Sequence, residues 1–185
     1  EAILVEGYTD LISLYQAGVE NVVAVCGTSL TEDHVKSLAR FSKRLIFLND
    51  SDAAGENATV RGIGLALAGG LTPYIVMLPA GEDPDSFART STREDVEAYL
   101  KEQRWSFVHF LVHRARRDGR LDQPEQETAA LHEILALLDD QQQLVIQRDI
   151  RQYPVFAVVG FLKLSAELFK AGQPFLGIGG FKRGF

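Results

Sequence analysis

Over roughly the first eighty residues, short apolar runs alternate with stretches of helical periodicity. That rhythm restricts the fold more than any other feature of the chain. "AILVE" (2–6), "NVVAVC" (21–26), "RLIFLN" (44–49) and "PYIVMLP" (73–79) read as strands. Between the first two, Thr9 is placed to cap a helix running to about Ala17, with Gly18 as its stop. Thr31 is placed to cap the next, in which Val35, Leu38 and Ala39 recur at helical spacing. A third helix is expected over Ala53–Ala68, ended by Gly69-Gly70. Strands and helices in strict alternation predict an α/β fold with a mainly parallel sheet and helices on its faces.

From about Asp85 the pattern turns helical. Thr92 and Asp95 have capping-box spacing, and Val96, Tyr99 and Leu100 form an apolar stripe. Further helices are expected over 105–117 and 124–139, and another from about Leu144. Trp105 and Phe107 are expected to anchor this part to the sheet. Residues 154–185, rich in Phe and Gly, break the amphipathic pattern. They read either as a helix over 155–171 with a tail or as sequence foreign to the domain.

The 185 residues suit one domain with an appendage, or two small ones. A formal net charge of −6 argues against a stand-alone nucleic-acid binder. It leaves open an enzyme whose basic groove belongs to another domain. Cys26 is the sole cysteine, so no disulfide framework or Cys-type zinc cluster is available, in keeping with a cytoplasmic protein. No secretory signal and no apolar run of membrane-spanning length is visible. The chain opens inside a strand without an initiating Met and reads as an excised piece of a longer protein.

In parallel sheets, sites open at the carboxyl ends of the strands. Glu6 follows the first strand and Asp50 the third. Asp10 falls in the first turn of a helix, where an acid complements the helix dipole. Asp50 and Asp52, at i and i+2 of an extended segment, aim at one spot. At about 4 Å and an effective dielectric of about 20, two carboxylates repel by about 4 kcal/mol. One of them satisfies an N-cap; the pair fits a cap and a metal site equally. Asp83 and Asp85 flank Pro84, a turn starter. Taken together on one sheet rim, these oxygens select a hard cation, Mg²⁺ or Mn²⁺, and suit two-metal phosphoryl chemistry.

"VEGYTDLISLYQAGVENVVAVCGTSLTEDHV", "NDSDAAG" and "LPAGEDPDSF" resemble the signatures of the Toprim domain, in order and spacing. That domain is shared by bacterial primases, topoisomerases and small nucleases, and the likeness is greatest to bacterial replicative primases. It covers residues 1–90, with 91–153 as a helical subdomain similar only in general character. The resemblance implies a metal-dependent nucleotidyltransferase making RNA primers from nucleoside triphosphates on single-stranded DNA. It implies Glu6, Asp50 and Asp52 as catalytic residues, with Glu6 as metal ligand or general base. Asp10, Asp83 and Asp85 complete a metal-binding ring, and Gly27 and Thr28 lie near the nucleotide. Two positions depart from the family pattern: Ser51 replaces a usual Gly, and Glu82 a usual Lys. The family's zinc-binding domain, DNA-gripping subdomain and helicase-binding tail have no counterpart in the sequence. The replicative helicase is therefore a partner only through a missing region, and the fragment alone is expected to bind DNA weakly and make little primer. The alternatives are another Toprim enzyme, a small nuclease or a topoisomerase relative, and a non-catalytic metal or nucleotide sensor. Ala54, where topoisomerases carry a third aspartate, argues against the topoisomerases.

Two further patterns read as structural. His109 and His113 have metal-ligand spacing but no third ligand, and "HRARR" (113–117) reads as a solvated helix face more readily than as a phosphate contact.

Overall fold

The computed structural model describes residues 1–50 and 52–122 and, beyond them, 126, 129, 130, 133, 134, 136 and 137. The helices expected from 124 onward and the segment 154–185 lie wholly or largely outside these residues.

Five strands form one sheet: β1 (Ala2–Val5), β2 (Val22–Ala24), β3 (Arg44–Phe47), β4 (Thr72–Val76) and β5 (Arg104–Ser106). Their spatial order is β2-β1-β3-β4-β5. The first four are parallel, with Ile3 opposite Val22 and Ile46, and Ile46 opposite Tyr74. β5 runs antiparallel to β4, pairing Trp105 with Ile75. Among the described residues, helices α1 (Tyr8–Gln16), α2 (Glu32–Ala39), α3 (Ala53–Ala68), α4 (Pro84–Thr90), α5 (Arg93–Glu102) and α6 (Phe107–Arg117) connect and flank the sheet.

The strands' continuous apolar character follows from burial on both faces. Ile3, Val5, Ile46, Leu48 and Val76 pack with Leu14, Ala88, Val96 and Leu100, beneath α1, α4 and α5. Leu4, Leu45 and Phe47 alternate with them and are equally buried, together with Val35 of α2 and Ile63 of α3. On that second face α3 lies close to the sheet. A Cβ on Gly62 would stand 2.4 Å from the Phe47 ring, so only glycine admits the ring there.

The expected alternation is present, with differences at the edges. The strands stop at Ala24, Phe47 and Val76, short of the apolar runs; after β3 and β4 the chain enters the loops that carry Asp50 and Asp83. α1 is capped by Gly7 rather than Thr9: the Gly7 N–H donates to Asp10 Oδ2 at 2.9 Å, so the helix begins at Tyr8. Thr31 caps α2 and Thr92 forms a capping box with Asp95, both as expected. Residues 105 and 106, expected at the start of a helix, instead join the sheet with Arg104 as β5. The open edge of β4 supplies ladder partners that helical periodicity cannot reveal. Pro84 opens α4, where its missing N–H costs nothing.

Candidate active site

β1 and β3 are neighbours, yet their connections diverge. α1 carries the chain from β1 to β2, and α3 carries it from β3 to β4 on the other side. Such a reversal of strand order opens a crevice at the carboxyl ends of the strands. A cleft of about 780 Å³ lies there, lined among others by Glu6, Asp10, Gly27, Thr28, Asp50 and Asp83. Residues from four separate loops thus converge on one space.

Glu6 is one of its lining residues. Its Oε1 is buried and has no hydrogen-bond partner among the described residues. Burial pushes its carboxyl above the ordinary range, and repulsion from Asp50, Asp52 and Asp10 adds to this, against a downward pull from Arg61. Asp50 is raised likewise, by burial first and then by Asp10, Asp83 and Asp52. Asp10 is 8% exposed. Burial raises it; the N–H of Gly7 opposes that, and Asp83 and Asp85 reinforce it. Three acids whose charged forms are disfavoured by burial and mutual repulsion, one of them with an unbonded oxygen, make a site suited to a cation.

The other aspartates divide. Asp52 caps α3, its Oδ1 accepting from the Gly55 N–H at 2.8 Å. It is exposed and absent from the cleft lining, but near enough to repel Glu6 and Asp50. Asp83 caps α4 through the Ser86 N–H at 2.7 Å and still borders the cleft. Asp85 faces away from it. It accepts from Ser13 Oγ and from Arg89 Nε (the latter at 2.9 Å), and both bonds hold its carboxyl below the usual range. Its hollow is a neighbouring one, shared with Thr9, Ile12 and Gln16. Glu82 is engaged by the Ser86 hydroxyl at the cap of α4; Ser51 lies outside the described residues.

Among the described residues, no three Asp, Glu, His or Cys side chains already form a metal cage. The donor set nevertheless fits Mg²⁺, which takes one or two carboxylates directly and keeps water or phosphate elsewhere. Glu6 and Asp50 are the direct candidates, with Asp10 and Asp83 behind them.

Two loops are shaped for this space. After β2, Cys26 has φ 54° and Gly27 φ 77°, and Cys26 is the one non-glycine with positive φ among the described residues. Such strain costs of order 1–3 kcal/mol and gathers at functional sites. The Cys26 N–H donates to the Glu6 carbonyl at 3.0 Å, tying this loop to the end of β1. After β3, a Cβ on Gly55 would stand 2.4 Å from the Asp50 carbonyl oxygen. At Gly55 the space a side chain would fill is therefore taken by the chain's own backbone. Close approach of α3 to the strand end is what holds Asp50 at the rim.

Sequence reasoning missed Asn49 and Arg61, which also line the cleft. Asn49 Nδ2 donates to Thr59 Oγ1 at 3.0 Å, while its Oδ1 is buried without a partner among the described residues. Its place beside Asp50 was the available signal. The basic cluster, read as a solvated helix face, is corrected at two positions: Arg114 and Arg117 bond to Asn57 and Glu56 of α3. Trp105 stacks on His109 with ring centroids 4.4 Å apart. Among the described residues, no helix is long and apolar enough to cross a membrane.

Residues 3–88 match the Toprim-like family. The chain is 35% identical over 140 residues to the DNA primase of Clostridium acetobutylicum, covering 75% of this chain and 23% of that protein. It superimposes on the Escherichia coli primase catalytic core with a TM-score of 0.65 at 33% identity, over 74% of this chain and 44% of that one. A DnaG primase catalytic domain bound to single-stranded DNA matches with a TM-score of 0.65 at 29% identity, over 89% of this chain and 50% of that one. The chain thus spans about a quarter of the curated relative's length. Sheet order, cleft position and these likenesses agree: residues 3–88 are a Toprim-like domain, in a chain similar to DNA primases over about three quarters of its length.

Proposed function

We propose that this chain supplies the metal-binding half of a polymerase active site that makes short RNA primers on single-stranded DNA. One observation carries the reading: the unbonded, buried Glu6 oxygen at the reversal point of the sheet, facing a cleft shared with Asp10, Asp50 and Asp83. Nothing else in this part of the fold needs those charges together.

Glu6 and Asp50 are the residues that would hold a divalent ion, Mg²⁺ or Mn²⁺, with Asp10 and Asp83 in support. Such an ion neutralises phosphate oxygens and activates an attacking hydroxyl. Glu6, with its raised proton affinity, acts as ligand or as acceptor of the proton from the attacking 3′-hydroxyl. Asp52 closes the first turn of α3 and so holds Asp50 in place, while its charge adds to the field at Glu6. Gly27 and Thr28 form the wall where the nucleotide would rest. Asp85 acts by bracing α4 against α1 through Ser13.

The template, the nucleoside triphosphates and the replicative helicase are the partners this reading implies. Its test is primer synthesis on single-stranded DNA by the full-length protein. Glu6→Gln and Asp50→Asn are each expected to reduce product at least a hundredfold, on the order of removing one electrostatic stabiliser. Residues 1–185 alone are expected to make little. No product from the unaltered full-length protein with either Mg²⁺ or Mn²⁺ would refute the reading.

A further inference from the structure

Among the described residues, Arg61 is the one Arg or Lys that lines the cleft. It is exposed, and no ion pair or hydrogen bond joins it to any described residue. A flexible cation sharing a cleft with carboxylates would ordinarily fold onto one of them. This one stays apart, though close enough to draw the Glu6 carboxyl downward against its burial.

Its position on α3 is specific. Ala54, Ala58, Arg61, Gly62 and Leu65 present one helical face to the cleft. The face is small and smooth at Ala54, Ala58 and Gly62, so Arg61 is its only charged group. Arg61 sits nine residues past Asp52, about 13 Å along the helix axis. An anion extending from an ion at Glu6 and Asp50 along α3 would meet its guanidinium, whose planar fork suits phosphate oxygens.

We infer that Arg61 is a phosphate-positioning residue, receiving a phosphate of the substrate whose other end lies at the Glu6–Asp50 rim. This rests on the polymerase reading above and adds to it a cationic end for the acidic cleft. The phosphate can belong to an incoming nucleoside triphosphate or to a nucleic-acid strand, and the two are separable.

The test uses the full-length protein, its Arg61→Ala and Arg61→Lys variants, and three titrants: Mg²⁺ alone, Mg²⁺ with GTP, and a single-stranded oligothymidine. Because Arg61 is exposed, both variants are expected to melt with the unaltered protein. The Ala variant is expected to lose roughly tenfold or more in affinity for a phosphate ligand, the scale of a charged hydrogen bond. Its affinity for Mg²⁺ alone should be retained, and Lys should recover part of the loss. A loss confined to Mg²⁺–GTP assigns the triphosphate; one confined to the oligonucleotide assigns the strand. Equal binding of both by the unaltered and Ala proteins overturns the inference and leaves the polymerase reading standing. A change in Mg²⁺ affinity as large as that for Mg²⁺–GTP also overturns it, since Arg61 would then only neutralise the acids. No Mg²⁺-dependent GTP binding by the unaltered protein overturns both.

Discussion

The guanidinium of Arg117 holds the carboxylate of Glu56 through two bonds, of 2.6 and 2.7 Å, joining the last turn of α6 to the first turn of α3. Glu56 is buried. Arg114 stands 3.8 Å from the same carboxylate and bonds Asn57 at 2.6 Å. Since α3 begins directly after the Asp50–Asp52 segment, this clamp braces the helix that follows the acidic rim.

Breaking the clamp should cost stability. Arg117→Ala leaves a buried carboxylate with only the more distant Arg114. The expected loss is about 1–3 kcal/mol, as for a buried charged group deprived of its partner. Urea unfolding at pH 7 measures it, and a midpoint unchanged from the unaltered protein contradicts it.

The same pair has a pH signature. Arg117, more than burial, Glu56's opposing influence, sets the direction: the Glu56 carboxyl lies below its ordinary value of 4.5. A carboxyl depressed on folding contributes stability above its unfolded pKa and loses it as pH falls through the folded one. The stability difference between the unaltered protein and Glu56→Gln should therefore stay constant from pH 7 to about 5 and shrink below about 4.3. Asp85 and Asp95 act with the same sign and Glu6, Asp10 and Asp50 with the opposite one. Taking the difference against Glu56→Gln isolates the one group.

Gly55→Ala tests the close approach of α3 to the end of β3. The added methyl would meet a backbone oxygen, which cannot swing aside as a side chain can. A loss of about 1–3 kcal/mol is expected, the usual cost of overpacking. Metal affinity should fall with it, because Asp50 is displaced. Thermal melting with and without Mg²⁺ reads both effects.

Asp50 and Asp85 should part company. Asp50→Asn relieves repulsion in the cleft, so the metal-free protein is expected to melt higher than the unaltered one. Saturating Mg²⁺ should then stabilise it less. For the unaltered protein, Mg²⁺ at a hundred times its dissociation constant is expected to add about 2.7 kcal/mol. Asp85→Ala should melt lower, losing its bonds to Ser13 and Arg89, and keep its Mg²⁺ response. An Asp85 variant blind to Mg²⁺ would return that residue to the acidic ring.

Much of the fold was legible because it is written in local periodicity. α3 occupies Ala53–Ala68 as read, since its cap at Asp52 and its stop at Gly69 are local features. The parallel sheet was legible too, because burial on both faces demands continuous apolar runs at β1, β3 and β4. β5 was not, since a three-residue strand exists only by virtue of β4's free edge.

The residue types alone determined that this chain would be an α/β protein with a carboxylate-rich rim at its strand ends. Which carboxylates share a space was left to the tertiary structure. Glu6, Asp10, Asp50 and Asp83 border one cleft, while Asp52 stands at its margin and Asp85 turns to Ser13. The partition depends on where separate loops come to rest, set by contacts between residues far apart in sequence. The tight seat of Gly55 against Asp50 and the reach of Arg117 to Glu56 are such contacts.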